Sequence, residues 1–348
     1  MKFTNAINEA LSIAMEADPG VIVYGLGTPD PKGIFGTTLG LQERFGPDRV
    51  FDMPTAENAL TGVAIGAALG GLRPVMSHQR LDFFLLAMDQ LVNNAAKWNY
   101  MFGGNNPVPI TIRLIIGRGW GQGPTHSQSL QSWFAHIPGL KVVCPSSAKD
   151  AKELLLASIF DPNPVVFLEH RWLHNSVSDV PAGDVRGVLG KAHKLTEGDD
   201  VTVIGYSVLI PEALRAINYL KENHNINAEL IDLKTISPLD WDTIFTSVKK
   251  TGRILAMDTS HEQCSVASEV ISRVSRDCWS SLKAAPQLLA LPNCPTPTSH
   301  ELTKDYYFDA SDIAKSIMQL MKHQTKDFAH LKSPGAHDVP GTWFNGPF

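Results

Sequence analysis

Glu57 is a lone carboxylate at the head of an apolar run, in TAENALTGVAIGAALGGLRPV (55–75). Thr55, after Pro54, reads as a helix N-cap, which puts Glu57 in the first turn. An acid there complements the helix dipole by about 0.3–1 kcal/mol. That accounts for the carboxylate but not for the helix behind it. Gly62, Gly66 and Gly70 recur every fourth residue and so share one row. Each glycine inside a helix costs about 0.5–1 kcal/mol relative to alanine. Three in a row predict that another helix or a ligand approaches closely. The acid at the end of so packed a helix is expected to be buried, and a buried carboxyl that can share a proton is a tool for acid–base chemistry. His126, in GQGPTHSQSLQSWFAHIPGLKVV (121–143), is a second proton carrier. Glycines precede it, it heads the next helical stretch, and imidazole exchanges protons near neutral pH. By itself such a histidine is more often structural.

Other motifs lead nowhere. GRGWGQG (117–123) and GLGTPD (25–30) follow strands, but neither has the glycine spacing of a dinucleotide loop. They read as glycine turns. HEQC (261–264) lacks the distant ligand pair of a zinc site and reads as a polar loop. Ser127 has no nucleophile elbow around it, and no Walker loop or zinc-protease motif is present.

The elements that must position Glu57 and His126 alternate. Apolar runs at 21–25, 49–53, 73–77, 109–116, 140–145 and 164–169 read as buried strands, with helices near 56–70, 81–101 and 148–160. Strands apolar throughout, alternating with helices, predict a mostly parallel sheet covered on both faces. Residues 172–200 lose the rhythm and read as a linker. Strands at 201–207, 228–234, 253–258 and 287–292 then alternate with helices near 209–222, 240–250, 264–280 and 310–323. The expected organisation is an α/β domain over 1–171, a linker over 172–200, a smaller α/β domain over 201–323 and a Pro/Gly-rich tail over 324–348. The tail, rich in Pro and Gly, is not expected to build a core; Trp343, Phe344 and Phe348 could anchor it on another surface, and a frayed terminus is the equal alternative.

A net charge of -5 and the absence of Lys/Arg runs argue against nucleic acid and membrane surfaces as partners. Residues 1–14 read as an amphipathic helix rather than a signal peptide. The apolar run 59–72 is too short to span a bilayer, which needs about 20 residues. Four scattered cysteines form no ligand pair or disulfide framework, which suggests a reducing, cytoplasmic compartment.

Together TAENALTGVAIGAALGGLRPV, AMDQLVNNAAKWNYMFGG, THSQSLQSWFAHIPGLKVVCPSSAKDAKELLLASIFDPNPVVFLE and DLKTISPLDWDTI resemble the beta subunit of the thiamine diphosphate-dependent 2-oxo acid dehydrogenases, such as pyruvate and acetoin dehydrogenase. The similarity runs in order over roughly 1–320. It implies a pyrimidine-binding domain followed by a transketolase C-terminal-like domain. It implies that Glu57 hydrogen-bonds the cofactor's aminopyrimidine and promotes the tautomer that deprotonates the thiazolium ring. Phe83 matches the aromatic residue on the pyrimidine face, and His126 the histidine that handles substrate or acyl transfer. The main-chain carbonyls of Ile110, Ser158, Asp161 and Asn163 match a structural potassium loop; a plain proline turn is the equal alternative. The diphosphate–magnesium motif, GDG followed by Asn, is absent. In the family it lies on the alpha subunit, so the resemblance implies an alpha2beta2 heterotetramer with Mg2+ on the partner chain and a lipoyl acyltransferase as a possible further partner.

The sequence departs from the family in places. Leu26 stands where an acidic residue is usual, and His78, Arg80 and Arg118 occupy positions where aromatic or small residues are common. These extra cations are candidates for binding an anionic substrate; a solvated rim is the alternative. MDTSHEQCSV (257–266) replaces a more acidic, glycine-rich stretch. A carboligase or split transketolase remains the second reading, although transketolase-type subunits show AEQN in place of TAEN. A non-catalytic partner subunit is the third.

Overall fold

The computed structural model describes residues 1–324, 327–332 and 336–339. Strands β1 (Val21–Tyr24), β2 (Val50–Phe51), β3 (Arg73–His78), β4 (Thr111–Ile116), β5 (Lys141–Val143) and β6 (Val165–His170) form the first sheet. A second sheet holds β7 (His193–Lys194), β8 (Val201–Gly205), β9 (Ala228–Asp232), β11 (Ile254–His261) and β12 (Gln287–Leu291). β10 (Thr235–Ser237) comes from the second half of the chain but closes the edge of the first sheet, whose order is β10-β5-β6-β4-β3-β1-β2. The second sheet runs β12-β11-β8-β9-β7. Both sheets are parallel except at their edge strands, where β10 pairs antiparallel with β5 and β7 with β9. The α/β class expected from the sequence is therefore the class observed. Every residue of β4, β6, β8 and β9 is buried, as continuous apolar runs covered on both faces must be. Among the described residues no helix is long and apolar enough to cross a membrane.

Three local features differ from expectation. The helix at Glu57 begins on that residue; its N-cap is Ala56 rather than Thr55, and no side chain caps it. The helical run near 81–101 changes its winding, from α over Leu81–Phe84 to 3-10 over Leu85–Ala87, π over Gln90–Ala95 and α again over Ala96–Met101. A π turn widens a helix and re-aims its side chains. The tail, for its part, does add to a core. Phe328 is fully buried against Tyr219 and His224, and Leu331 joins the same cluster. Two apolar residues cannot make a core, but they can extend one. Trp343, Phe344 and Phe348 lie outside the described residues.

The expected neighbour of the glycine row is not found among the described residues. A Cβ at Gly66 would meet nothing within 4 Å, and one at Gly62 only the Gln90 side chain at 3.5 Å. Val63, between them, is 59% exposed. The row faces outward.

Gly139 precedes β5 at φ +99°, and a Cβ there would lie 1.9 Å from the Ala96 carbonyl oxygen. Gly139→Ala combines left-handed strain of about 1–3 kcal/mol with backbone overpacking of about 1–3 kcal/mol. Gly46 has φ +84° with nothing within 4 Å, so Gly46→Ala bears the strain alone. Denaturant melts of the two variants should rank Gly139→Ala as the less stable; equal midpoints would contradict this packing.

Candidate active site

Glu57 projects from the N-terminal end of its helix and is only 5% exposed. Thr61 donates its hydroxyl to the Glu57 carbonyl at 2.8 Å, which tightens the first turn. The carboxylate itself has no hydrogen-bond or ion-pair partner among the described residues. Its helix packs on β3 and on the 85–87 and 90–95 segments, which continue the chain from Phe83.

Phe83 and His126 come together. Their rings lie 5.4 Å apart, edge to face. Phe83, in the short helix Leu81–Phe84, keeps 36% of its surface exposed. His126 lies in a loop and does not head a helix; the next helix is Gln131–Ala135. Arg80 ties this loop down by donating from Nη1 to the His126 carbonyl at 2.9 Å. Gln128 donates to Asp82 at 2.7 Å. Thr125 Oγ1 lies 3.0 Å from His126 Nδ1. Residues 80–83 and 125–128 thus form one unit.

The other cationic candidates separate. His78 ends β3, buried edge-on against Phe84 at 4.9 Å, and its Nε2 has no partner. Arg118 lies between the rings of Trp172 and Tyr307, 4.4 Å from each. There it lines a cavity of about 1010 Å³ that contains none of Glu57, Phe83 and His126. Burial lowers the proton affinity of both Arg80 and Arg118.

Burial pushes His78 down to about 3, and His170 and His174 well below the ordinary value. All three are buried as neutral imidazoles. The unfolded chain takes up protons on them below about pH 6.5 while the folded chain does not, so stability falls on acidification. For His78 the loss at pH 5 is about 2 kcal/mol. His78→Gln should flatten the fall in unfolding free energy between pH 6.5 and pH 4 by one proton's slope, measured by urea melts across that range. An unchanged slope would contradict the buried neutral state.

Two polar networks escaped the sequence reading. Arg113, in the middle of β4, pairs with Glu169 of β6, both fully buried. It also donates to Ser77 Oγ at 3.0 Å and Thr37 Oγ1 at 2.8 Å. The signal was present: an arginine inside PITIRLII must find a partner. The second network joins the two halves of the chain. Gln131, which starts the helix after the His126 loop, donates to Tyr206 and Asp258 at 2.9 Å each, and Tyr206 donates to Asp258 at 2.5 Å. No spacing in the sequence announces that contact.

The class of protein is that of the transketolases: two mostly parallel sheets, an acid buried at a helix head, and a histidine loop packed on Phe83. The description "Transketolase, pyrimidine binding domain" matches residues 1–175, and "Transketolase, C-terminal domain" matches residues 190–313. The acetoin:2,6-dichlorophenolindophenol oxidoreductase subunit beta of Cupriavidus necator is 39% identical over 327 residues, 91% of this chain and 96% of that one. The pyruvate dehydrogenase E1 component subunit beta of Bacillus subtilis is 40% identical over 300 residues, 86% of this chain and 92% of that one. A solved structure of a split-gene transketolase, described as an inactive beta4 tetramer, matches the fold at TM-score 0.74 and 20% identity, covering 92% of this chain and 98% of that one. The chain belongs to the thiamine diphosphate-dependent transketolase family, among the beta subunits of the 2-oxo acid dehydrogenases.

Proposed function

We propose that the chain is the beta subunit of a decarboxylating, acyl-transferring 2-oxo acid dehydrogenase and supplies half of each active site. Glu57 carries the reading. Its side chain sits 5% exposed at a helix head and pairs with no other side chain among the described residues, which leaves it available to a ligand N–H. The aminopyrimidine ring of thiamine diphosphate offers such a group. When bound, that cofactor supplies the carbon nucleophile and electron sink for loss of CO2 from a 2-oxo acid. Glu57 holds a proton at the ring nitrogen. Phe83 offers an apolar ring face, and His126 stands against it to exchange a proton with substrate or acyl group. Of the three cationic candidates, Arg80 is the one proposed for the substrate carboxylate, because it bonds the His126 loop, whereas His78 is buried neutral and Arg118 lines a separate cavity.

The diphosphate and Mg2+ are assigned to an alpha chain, because no GDG motif is present here. The outward glycine row supports close packing against a second chain in an alpha2beta2 assembly. A lipoyl acyltransferase is the natural acyl acceptor for such an assembly.

Potassium is assigned to the carbonyls of Ile110, Ser158, Asp161 and Asn163. The Ile110 carbonyl accepts the Val165 N–H at 3.0 Å and keeps a second lone pair for a cation, while the Ser158 carbonyl accepts from Asp161 at 3.2 Å and from the Phe160 N–H. Exchanging K+ for Na+ should lower the melting temperature; an unmoved transition removes the ion from the proposal.

The test is co-expression with a GDG-containing companion chain, followed by product analysis with a panel of 2-oxo acids. Dye reduction or acyl-dihydrolipoamide is expected. A ligated ketone would move the chain to the carboligases, and no product from a cofactor-loaded complex would overturn the reading.

A further inference from the structure

The tail folds back onto the glycine-rich loop that leads to His126. There His300, His337 and Asp338 each bring one ligand atom within 4.8 Å of the others. The rings of His300 and His337 are 4.3 Å apart, and His300 Nε2 lies 3.5 Å from Asp338 Oδ1. This is more than a chance meeting of side chains, because two of the three are already held on their outer atoms. His337 Nε2 shares a 2.9 Å hydrogen bond with Thr303 Oγ1, which leaves Nδ1 to ligate. Asp338, only 4% exposed, accepts the Trp120 N–H on Oδ2 at 3.1 Å, which leaves Oδ1 facing the imidazoles. The backbone beneath is fitted just as closely. At Gly119, φ +82°, a Cβ would lie 2.0 Å from the Asp338 carbonyl oxygen, so only glycine lets the tail approach this near.

We propose that His300, His337 and Asp338 bind one divalent transition-metal ion that pins the C-terminal tail to the loop carrying His126. Two neutral imidazoles and a carboxylate suit zinc and leave a fourth position for water; hard ions such as Mg2+ prefer all-oxygen sets. Zinc bonds of about 2.0–2.1 Å put tetrahedral ligand atoms roughly 3.4 Å apart, so the cluster closes by about an ångström on binding. The hydrogen bonds from Thr303 and Trp120 are of the kind that orient ligands around a metal. The ion ties residue 300 and residues 337–338 to the loop at 119–120, and so holds the segment that reaches His126. The inference rests on these residues alone and stands whatever substrate the chain serves.

Untagged full chain, with its companion chain and in millimolar Mg2+, is dialysed against chelator and titrated with Zn2+. One equivalent per chain is expected. His300→Ala and His337→Ala should abolish uptake, and Thr303→Val should weaken it about tenfold. His300 is exposed, so its variant leaves the core intact. Zinc should also slow tryptic cleavage after Lys332 in the wild type and not in His300→Ala. Equal uptake by wild type and His300→Ala, or uptake by neither, overturns the site.

Discussion

Glu57→Gln should remove turnover while leaving the fold as stable as before. The amide has the shape of the acid but cannot share a proton in the same way. General acid–base groups contribute roughly 10²–10⁴-fold to rate, and a loss in that range is expected when the variant is assembled with its companion chain. Stability should not follow. No hydrogen bond or ion pair to the Glu57 side chain exists among the described residues, so an amide of the same shape breaks none. Were Glu57 only a dipole-complementing acid, the variant would lose about 0.3–1 kcal/mol and keep its activity. Turnover, cofactor binding and thermal unfolding of the same sample separate the two accounts. Near wild-type turnover in Glu57→Gln would end the assignment.

What could be read from the sequence was whatever a short stretch of chain dictates by itself. The parallel sheets announced themselves because strands buried on both faces are apolar at every position, as in VTVIG of β8. The burial of Glu57 followed from its setting in a glycine–alanine helix. Its cap was misread because Thr55 and Ala56 compete for one position, and only the backbone shows that Ala56, at φ -148°, is the last non-helical residue. The glycine row predicted a close neighbour, and the described residues supply none, because spacing within one helix says nothing of what packs on it. Contacts between distant segments were illegible for a different reason. Gln131 meets Asp258 across 127 positions, and Trp120 meets Asp338 across 218, through single hydrogen bonds with no periodicity to give them away. The edge strand β10 belongs to the same class, since its pairing with β5 depends on how the two halves of the chain dock.

Arg113→Met should be the most destabilising of the substitutions considered. The guanidinium lies fully buried in β4 against Glu169, and removing one partner of a buried pair costs about 3–5 kcal/mol. Most of that is the penalty on the carboxylate left behind. Burial already raises the proton affinity of Glu169, and Arg113 is the largest influence holding it down. Without Arg113 the folded-state value rises further above the unfolded one. The folded variant then keeps a proton that the unfolded chain releases above about pH 4.5, so its stability falls as pH rises through that window. The deficit against wild type should therefore be largest at neutral pH and shrink on acidification. Adding Glu169→Gln removes the orphaned charge and should recover most of the loss at neutral pH while flattening the pH dependence. Urea melts of the single and double variants at pH 5 and pH 7.5 would measure both effects. If the single variant is as stable as wild type at neutral pH, the pair is not buried as described. If the double variant recovers nothing, the cost lies in the lost bonds to Ser77 and Thr37 rather than in the uncompensated charge.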